Sequence, residues 1–217
     1  MQPMVKICGF MRPEDVRMCI RQGASIIGFV VEYPHRVPWN LKMETAQELM
    51  AEVTKPTRTC VVTGGSLEKI VHIAQQTKPD YIQLHFGETL AEVSYLVKEL
   101  GKYGTMVIKT LFPDTPDLEK AAADFSQTGI YALLFDPRSP NNAVASGTAD
   151  LSVFAKIQRS ASCPVILAGG ITAENVAKVV AMSKAPIIDL MSGVECSHGV
   201  KDETKVVALF QALRNIS

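Results

Sequence analysis

Four side chains able to do acid–base or ionic chemistry stand at or just after the ends of short apolar runs. They are the thiol of Cys8, the guanidinium of Arg36, the imidazole of His85 and the carboxyl group of Asp136. A cysteine thiolate can remove a proton, and a carboxylic acid can supply one to an oxygen atom. If the fold brings these groups together, they predict acid–base catalysis on a small molecule, with neither a metal cluster nor a hydride-carrying cofactor.

Two later apolar runs, 165–168 and 187–191, end in small residues that suit anion binding. These residues are Gly169 and Gly170 after the first run, and Ser192 and Gly193 after the second. Glycine lets backbone N–H groups approach an anion, and a following helix adds the positive end of its dipole. Thr172 is the predicted N-cap of that helix. One Gly-Gly pair is as often a plain tight turn, but two neighbouring turns predict a phosphate site.

The apolar periodicity predicts the elements that must position these residues. Eight short runs suited to buried parallel strands alternate with eight segments whose apolar residues recur every three or four positions. The expected strands are 4–8, 26–31, 57–62, 81–85, 105–110, 131–135, 165–168 and 187–191. No linker divides them, so residues 1–217 are predicted to form one α/β domain, a (β/α)8 TIM barrel.

A doubly wound sheet is the main alternative, but its usual Gly-x-Gly-x-x-Gly turn is missing after the first strand, where Cys8-Gly9-Phe10 stands. In a barrel, residues at the carboxyl ends of the strands form the active site, and the loops after strands seven and eight often bind phosphate. The barrel therefore places the four reactive side chains and both glycine turns at one end of the molecule.

Composition limits the function further. Hydrophobic residues make up 47% of the 217 residues and charged residues 20%, which fits a folded core and not a disordered chain. The 22 basic and 22 acidic side chains balance, so no nucleic-acid partner is expected. Five cysteines lack zinc-ligand spacing and are expected as reduced thiols. With no signal peptide and no apolar run near ~18 residues, we expect a cytoplasmic protein without a membrane partner. We expect it to be a monomer or a homodimer.

Several stretches resemble the phosphoribosylanthranilate isomerase family, nearly from end to end. They are Lys6-Ile7-Cys8-Gly9, Gly28-Phe29-Val30, Gln83-Leu84-His85, Leu134-Phe135-Asp136, Ala168-Gly169-Gly170-Ile171-Thr172, Ser192-Gly193-Val194-Glu195 and Gly199-Val200-Lys201-Asp202. The first and last are specific, whereas the Gly-Gly turn is shared by many phosphate-binding barrels. The resemblance implies an Amadori rearrangement in tryptophan biosynthesis, without a cofactor.

The resemblance also implies roles for the residues. Cys8 would be the general base, Asp136 the general acid, and Arg36 the partner of the anthranilate carboxylate. His85 and the backbone around Gly169, Gly170, Ser192 and Gly193 would bind the rest of a phosphorylated substrate. For this chemistry we expect Lys6 to lower the pKa of Cys8 and a closed site to raise the pKa of Asp136.

Two loops depart from the family pattern and leave three hypotheses open. Pro34-His35-Arg36 stands in place of Ser-Pro-Arg, and Ser146-Gly147-Thr148-Ala149 in place of Gly-Gly-Thr-Gly. The leading hypothesis is an isomerase of N-(5-phosphoribosyl)anthranilate. The second is a related barrel isomerase acting on another phosphorylated sugar, and the third is a non-catalytic protein that binds a phosphometabolite. Turnover and substrate screening separate the three.

Overall fold

A closed barrel of parallel strands forms the centre of the molecule, as the sequence predicts. The structure is a computed structural model, and it describes residues 2–138 and 148–216. Within these residues the barrel has eight strands: β1 (Met4–Cys8), β2 (Ile26–Val31), β3 (Arg58–Thr63), β4 (Tyr81–Leu84), β5 (Met106–Leu111), β6 (Ala132–Phe135), β7 (Val165–Ala168) and β8 (Ile187–Leu190). Each pairs with the next, and β8 pairs with β1, which closes the ring.

A helix follows each strand and covers the outside of the barrel. In the described part of the chain the helices are α1 (Pro13–Gln22), α2 (Met43–Met50), α3 (Leu67–Thr77), α4 (Leu90–Gly101), α5 (Leu118–Ser126), α6 (Leu151–Ser160), α7 (Val176–Ser183) and α8 (Glu203–Arg214). A short strand, Asn40–Leu41, adds to β2, and the strands Glu195–Ser197 and Val200–Lys201 form a hairpin after β8. None of these helices is both long enough and apolar enough to cross a bilayer.

The expected and observed strands agree to within one residue at either end, but one helix start differs. The prediction that Thr172 caps the helix after β7 is wrong, because Asn175 is its N-cap. Asn175 Oδ1 accepts a hydrogen bond from the backbone N–H of Thr172 at 2.9 Å, and its Nδ2 donates to the carbonyl of Gly170 at 2.8 Å. The Gly-Gly turn therefore leads into a further turn before α7 begins.

The alternation of side chains along each strand divides the core into an inner and an outer layer. Along β1, Val5 and Ile7 belong to the large apolar cluster that includes the buried faces of the helices. Lys6 and Cys8 alternate with them and so point into the barrel. The lower interior is apolar, with Ile26 among its buried residues. The interior becomes polar toward the carboxyl ends of the strands, where the predicted site lies.

Candidate active site

A cavity of about 530 Å³ opens at the carboxyl ends of the strands. Its lining includes all eight of the predicted site residues: Cys8, Arg36, His85, Asp136, Gly169, Gly170, Ser192 and Gly193. They come from distant parts of the sequence and meet because parallel strands end on the same side of a barrel. The geometry thus gives one shared site, and the role of each residue in it stays a prediction.

Cys8 is the last residue of β1 and is held from two sides. It pairs in register with Gly28 of β2, where an added Cβ would lie 2.8 Å from Cys8 Sγ. The glycine therefore leaves the space that the sulfur atom occupies. Lys201 Nζ donates to the Cys8 carbonyl at 2.6 Å and also pairs with Glu195 Oε1 at 2.6 Å. This contact fixes the backbone of Cys8 at the floor of the cavity.

The buried Cys8 thiol has a pKa above its ordinary value. Burial raises the pKa of Cys8, and the nearby ammonium of Lys6 lowers it by a smaller amount. Lys6 acts in the expected direction, but its Nζ lies 2.8 Å from Asp189 Oδ2, and this carboxylate offsets its effect on the sulfur atom. Cys8 is consequently a thiol over most of the neutral range, and the thiolate is a minor form.

Asp136 follows β6, and its carboxylate lies beside Arg138 and His85. Its backbone N–H donates to the Leu111 carbonyl at 3.1 Å, which continues the strand pairing. Asp136 Oδ1 accepts hydrogen bonds from the Arg138 backbone N–H at 2.9 Å and from Arg138 Nε at 3.4 Å. Asp136 Oδ2 lies 3.6 Å from His85 Nε2.

These contacts keep Asp136 ionised while no substrate is bound, so the raised pKa expected for the substrate complex stays a prediction. Burial alone would raise the pKa of Asp136, but His85 and Arg138 together outweigh it and hold that pKa below its usual value. Burial in a closed site predicts a rise, but Arg138, two residues farther along the chain, opposes it. When a hydrogen-bonded cation lies beside a carboxyl group, the ionised carboxylate is more stable than the protonated acid.

The loop between β2 and α2 carries Arg36 into the cavity. The loop begins at Glu32, whose φ of 44° is left-handed, and Lys69 Nζ donates to the Glu32 carbonyl at 2.5 Å. The Tyr33 N–H donates to Asn40 Oδ1 at 2.8 Å, and Asn40 Nδ2 donates to the Tyr33 carbonyl at 3.0 Å. Arg36 is exposed between these anchors and belongs to none of the ion pairs of the described residues. Its guanidinium can therefore meet an anion in the cavity.

The altered sequence around Arg36 packs as an aromatic cluster. The His35 ring stacks on Phe86 with centroids 5.3 Å apart, and the Tyr33 ring lies 4.9 Å from the same phenyl group. Gly64 makes room for Phe86, because a Cβ at Gly64 would lie 2.1 Å from that ring. The replacement of the family's Ser-Pro-Arg thus comes with aromatic contacts that anchor the loop.

The two glycine turns lie against each other at the ends of β7 and β8. Gly169 and Gly170 have φ values of 96° and 65°, which favour glycine. A Cβ on Gly193 would lie 2.0 Å from the carbonyl oxygen of Ile171, so the second turn approaches the backbone of the first. Within the other altered loop, Ala149 is buried and Thr148 is exposed. Ser146 and Gly147 lie outside the described residues.

Comparison with known proteins agrees with this fold and shows the family. Residues 5–212 match the family model described as N-(5'phosphoribosyl)anthranilate (PRA) isomerase. The chain belongs to the PRA isomerase family. This confirms the resemblance seen in the sequence.

The similarity to members of the PRA isomerase family extends over almost the whole chain. A protein of that name from Halorubrum lacusprofundi is 34% identical over 204 residues, which are 93% of this chain and 92% of the relative. Another from Rhodospirillum rubrum is 34% identical over 223 residues, covering 98% of each. The crystal structure of phosphoribosyl anthranilate isomerase from Thermus thermophilus has a TM-score of 0.83 at 26% identity and covers 99% of this chain and 100% of that one. The predicted barrel is confirmed.

Three residues that line the cavity were not predicted from the sequence: Tyr33, Arg138 and Asp189. Lys6 was expected beside Cys8, but its pairing with Asp189 was not. A charged residue inside an apolar strand was the available signal for this pair, because a buried charge needs a partner. Lys6 interrupts β1 and Asp189 interrupts the neighbouring strand β8, where the two are opposite in register. Tyr33 and Arg138 carried no comparable signal.

Proposed function

We propose that this chain converts N-(5'-phosphoribosyl)anthranilate to 1-(2-carboxyphenylamino)-1-deoxyribulose 5-phosphate, an Amadori rearrangement of tryptophan biosynthesis. The observation that carries the proposal is that Cys8 and Asp136 line the same cavity as the paired glycine turns. A base, an acid and an anion site are the groups that this reaction needs. Membership of the PRA isomerase family supports the same substrate.

The lining of the cavity suits both charged groups of the proposed substrate. Backbone groups around Gly169, Gly170, Ser192 and Gly193 would bind the phosphate. Arg36, on the loop after β2, would pair with the anthranilate carboxylate, since a guanidinium can hold a carboxylate with two hydrogen bonds. The wall near Cys8 is apolar and consists of Val30, Val37, Trp39, Val62 and Met191. This wall would pack against the aromatic ring and turn the ribose toward the acid and the base.

The proposed reaction needs two proton transfers. A carboxylic acid at Asp136 protonates the ribose ring oxygen, the bond from that oxygen to C1 breaks, and the nitrogen lone pair forms an iminium ion. The Cys8 thiolate then removes the proton from C2, which gives an enolamine that becomes the ketone. The resting thiol and carboxylate hold the same number of protons as the active thiolate and carboxylic acid. The enzyme therefore needs to redistribute a proton, not to gain one.

The proposal extends to the setting of the reaction. A cytoplasmic location follows from a role in amino-acid biosynthesis, and a phosphorylated small molecule is the proposed partner. Balanced charge over 217 residues offers no support for a nucleic-acid partner. A monomer or a homodimer is proposed as the working form.

Loss of anthranilate-type fluorescence on mixing purified protein with the substrate tests this function. Cys8→Ser and Asp136→Asn should each lower kcat/KM by about 10²- to 10⁴-fold, the usual contribution of a general acid or base. Cys163→Ser and Asp124→Asn are matched controls away from the cavity lining and should keep the activity. No turnover by the unmodified protein would reject the proposal. Turnover of another phosphorylated aminosugar alone would favour the related isomerase, and ligand-induced thermal stabilisation without product would favour a binding protein.

A further inference from the structure

Three polar groups form a chain from the loop after β2 to the end of β6. The Tyr33 hydroxyl oxygen lies 2.8 Å from His85 Nδ1, and the other ring nitrogen of His85, Nε2, lies 3.6 Å from Asp136 Oδ2. The side chains of His85 and Asp136 are only 16% and 9% exposed. One imidazole thus contacts a hydroxyl group on one side and faces the proposed general acid on the other.

Asp136 needs a source for the proton that it would donate. Its Oδ1 is occupied by the two Arg138 donors, and Oδ2 faces His85, so the carboxylate is the favoured form. Arg138 cannot supply the proton, because a guanidinium does not release one in a protein. Of the two ion-pair partners of Asp136 among the described residues, His85 and Arg138, only His85 can hold and release a proton near neutral pH.

The geometry points to a catalytic proton held between His85 and Asp136, with Tyr33 as the positioning residue that stabilises His85 in its protonated form. This inference rests on the proposed isomerase reaction. Imidazolium Nδ1–H donates to the Tyr33 oxygen, and Nε2–H is then directed at Asp136. A hydrogen bond from a charged donor is stronger than one from a neutral donor, so the hydroxyl favours the imidazolium.

The proton transfers balance. The Nε2 proton of His85 passes to Asp136 Oδ2, and the carboxylic acid passes a proton to the ribose ring oxygen, which also takes the electron pair of the breaking bond to C1. The Cys8 thiolate takes the C2 proton. Conversion of the enolamine to the ketone moves one proton from the C2 hydroxyl to C1. Return of the Cys8 proton to His85 through solvent restores the enzyme, without an oxidant or a reductant.

Other ionisable groups surround this chain and enter its titration. They are His35 on the Tyr33 loop, the ion pair of Glu88 with Lys109, and Arg138 and Asp189 beside Asp136. Burial raises the pKa of Tyr33 well above its usual value, so Tyr33 remains a neutral hydroxyl. Tyr33→Phe keeps the ring that packs on Phe86 and removes only this hydroxyl.

Titration of ¹⁵N-labelled histidine by NMR tests the inference without any substrate. The chain has four histidines, and the signal of His85 is the one lost in His85→Gln. Tyr33→Phe should lower the midpoint of the His85 titration by about one pH unit, since a hydrogen bond to a charged group contributes about that much. Tyr95→Phe, which removes an exposed hydroxyl from α4, should leave the midpoint unchanged.

The pH profile of kcat/KM gives the second measurement. In the proposed active form Cys8 is ionised while the His85–Asp136 pair keeps its proton, and we assign the acid limb to that pair. In Tyr33→Phe this limb should move down by about one pH unit, and the rate above it should fall about tenfold. At pH values below the acid limbs of both proteins, Tyr33→Phe and the unmodified enzyme should reach equal rates. General damage to the site would instead lower the rate of Tyr33→Phe at every pH. An active Tyr33→Phe enzyme with an unmoved midpoint and limb overturns this inference alone, and an inactive unmodified protein overturns the proposed function as well.

Discussion

The buried ion pair between Lys6 and Asp189 offers the sharpest test of how the barrel interior supports the site. Lys6 Nζ lies 2.8 Å from Asp189 Oδ2, and the two side chains are 0% and 10% exposed. The second carboxylate oxygen, Asp189 Oδ1, is buried without a hydrogen-bond partner among the described residues. Lys6→Met removes the ammonium and leaves Asp189 with no other cation in its ion pair.

The size of the effect follows from this geometry. At 2.8 Å two opposite charges attract by about 6 kcal/mol at an effective dielectric constant of about 20, and the loss of hydration offsets much of this attraction. Removing one partner of such a pair usually costs about 3–5 kcal/mol, because the other charge stays buried. Since domains are stable by about 5–15 kcal/mol, Lys6→Met should lose a large share of the free energy of unfolding.

Denaturant unfolding of a double-mutant cycle measures this pair. Lys6→Met and Asp189→Asn should each destabilise the fold, and the double variant should lose less than the sum, with a coupling of about 2 kcal/mol or more. Lys120→Met is the matched control, because its partner Asp124 is on the exposed face of α5 and the pair should contribute little.

The pH dependence of the stability of Lys6→Met gives a second test, because the direction of the change is predicted. Burial raises the pKa of Asp189, and Lys6 opposes that rise. Without Lys6 the folded pKa of Asp189 rises further, so stability is lost as pH increases above about 3.9, the ordinary value in the unfolded chain. The deficit of Lys6→Met should therefore be smaller at pH 5 than at pH 8. Additive single effects below about 1 kcal/mol, or a deficit that does not depend on pH, would refute the reasoning.

Two further predictions concern Cys8 and the pH range of stability. Gly28→Ala puts a Cβ 2.8 Å from Cys8 Sγ and 3.1 Å from Cys8 Cα. The value of kcat/KM should fall about 10²-fold or more, and the circular dichroism spectrum should stay unchanged. In the control Gly101→Ala the added Cβ has no atom within 4 Å, so kcat/KM and the spectrum should both stay unchanged. Burial raises the pKa of Cys60 from 9.0 to about 12. Between these pH values the unfolded chain releases the thiol proton while the folded chain keeps it. The free energy of unfolding should therefore fall by about 1.4 kcal/mol per pH unit for this thiol. Cys60→Ala should reduce that slope, and equal slopes in the two proteins would contradict the assignment.

The barrel could be predicted from the sequence because its signal is repeated. Each buried strand is a short apolar run and each helix has its own periodicity, so an error at one boundary does not change the count. The start of α7 was wrong for a local reason. Thr172 and Asn175 are both good N-cap residues, and the choice of Asn175 depends on its side-chain contacts with the turn at Gly170.

The candidate site was predictable where chemistry follows from strand position. Cys8, His85 and Asp136 stand at strand ends, and a barrel brings such ends together. Tyr33 could not be found in this way, because its contact with His85 depends on a left-handed turn at Glu32 and on the Asn40 hydrogen bonds that close the loop. Neither feature leaves a periodic signal in the sequence.

The protonation of the site lies beyond sequence reasoning for a physical reason. The pKa of a buried group is a difference between the cost of burial and the gain from a few contacts, and that difference can change sign with one neighbour. Burial prevails at Cys8, where Lys6 is partly neutralised by Asp189, whereas contacts prevail at Asp136. Both results favour the inactive arrangement of the proton.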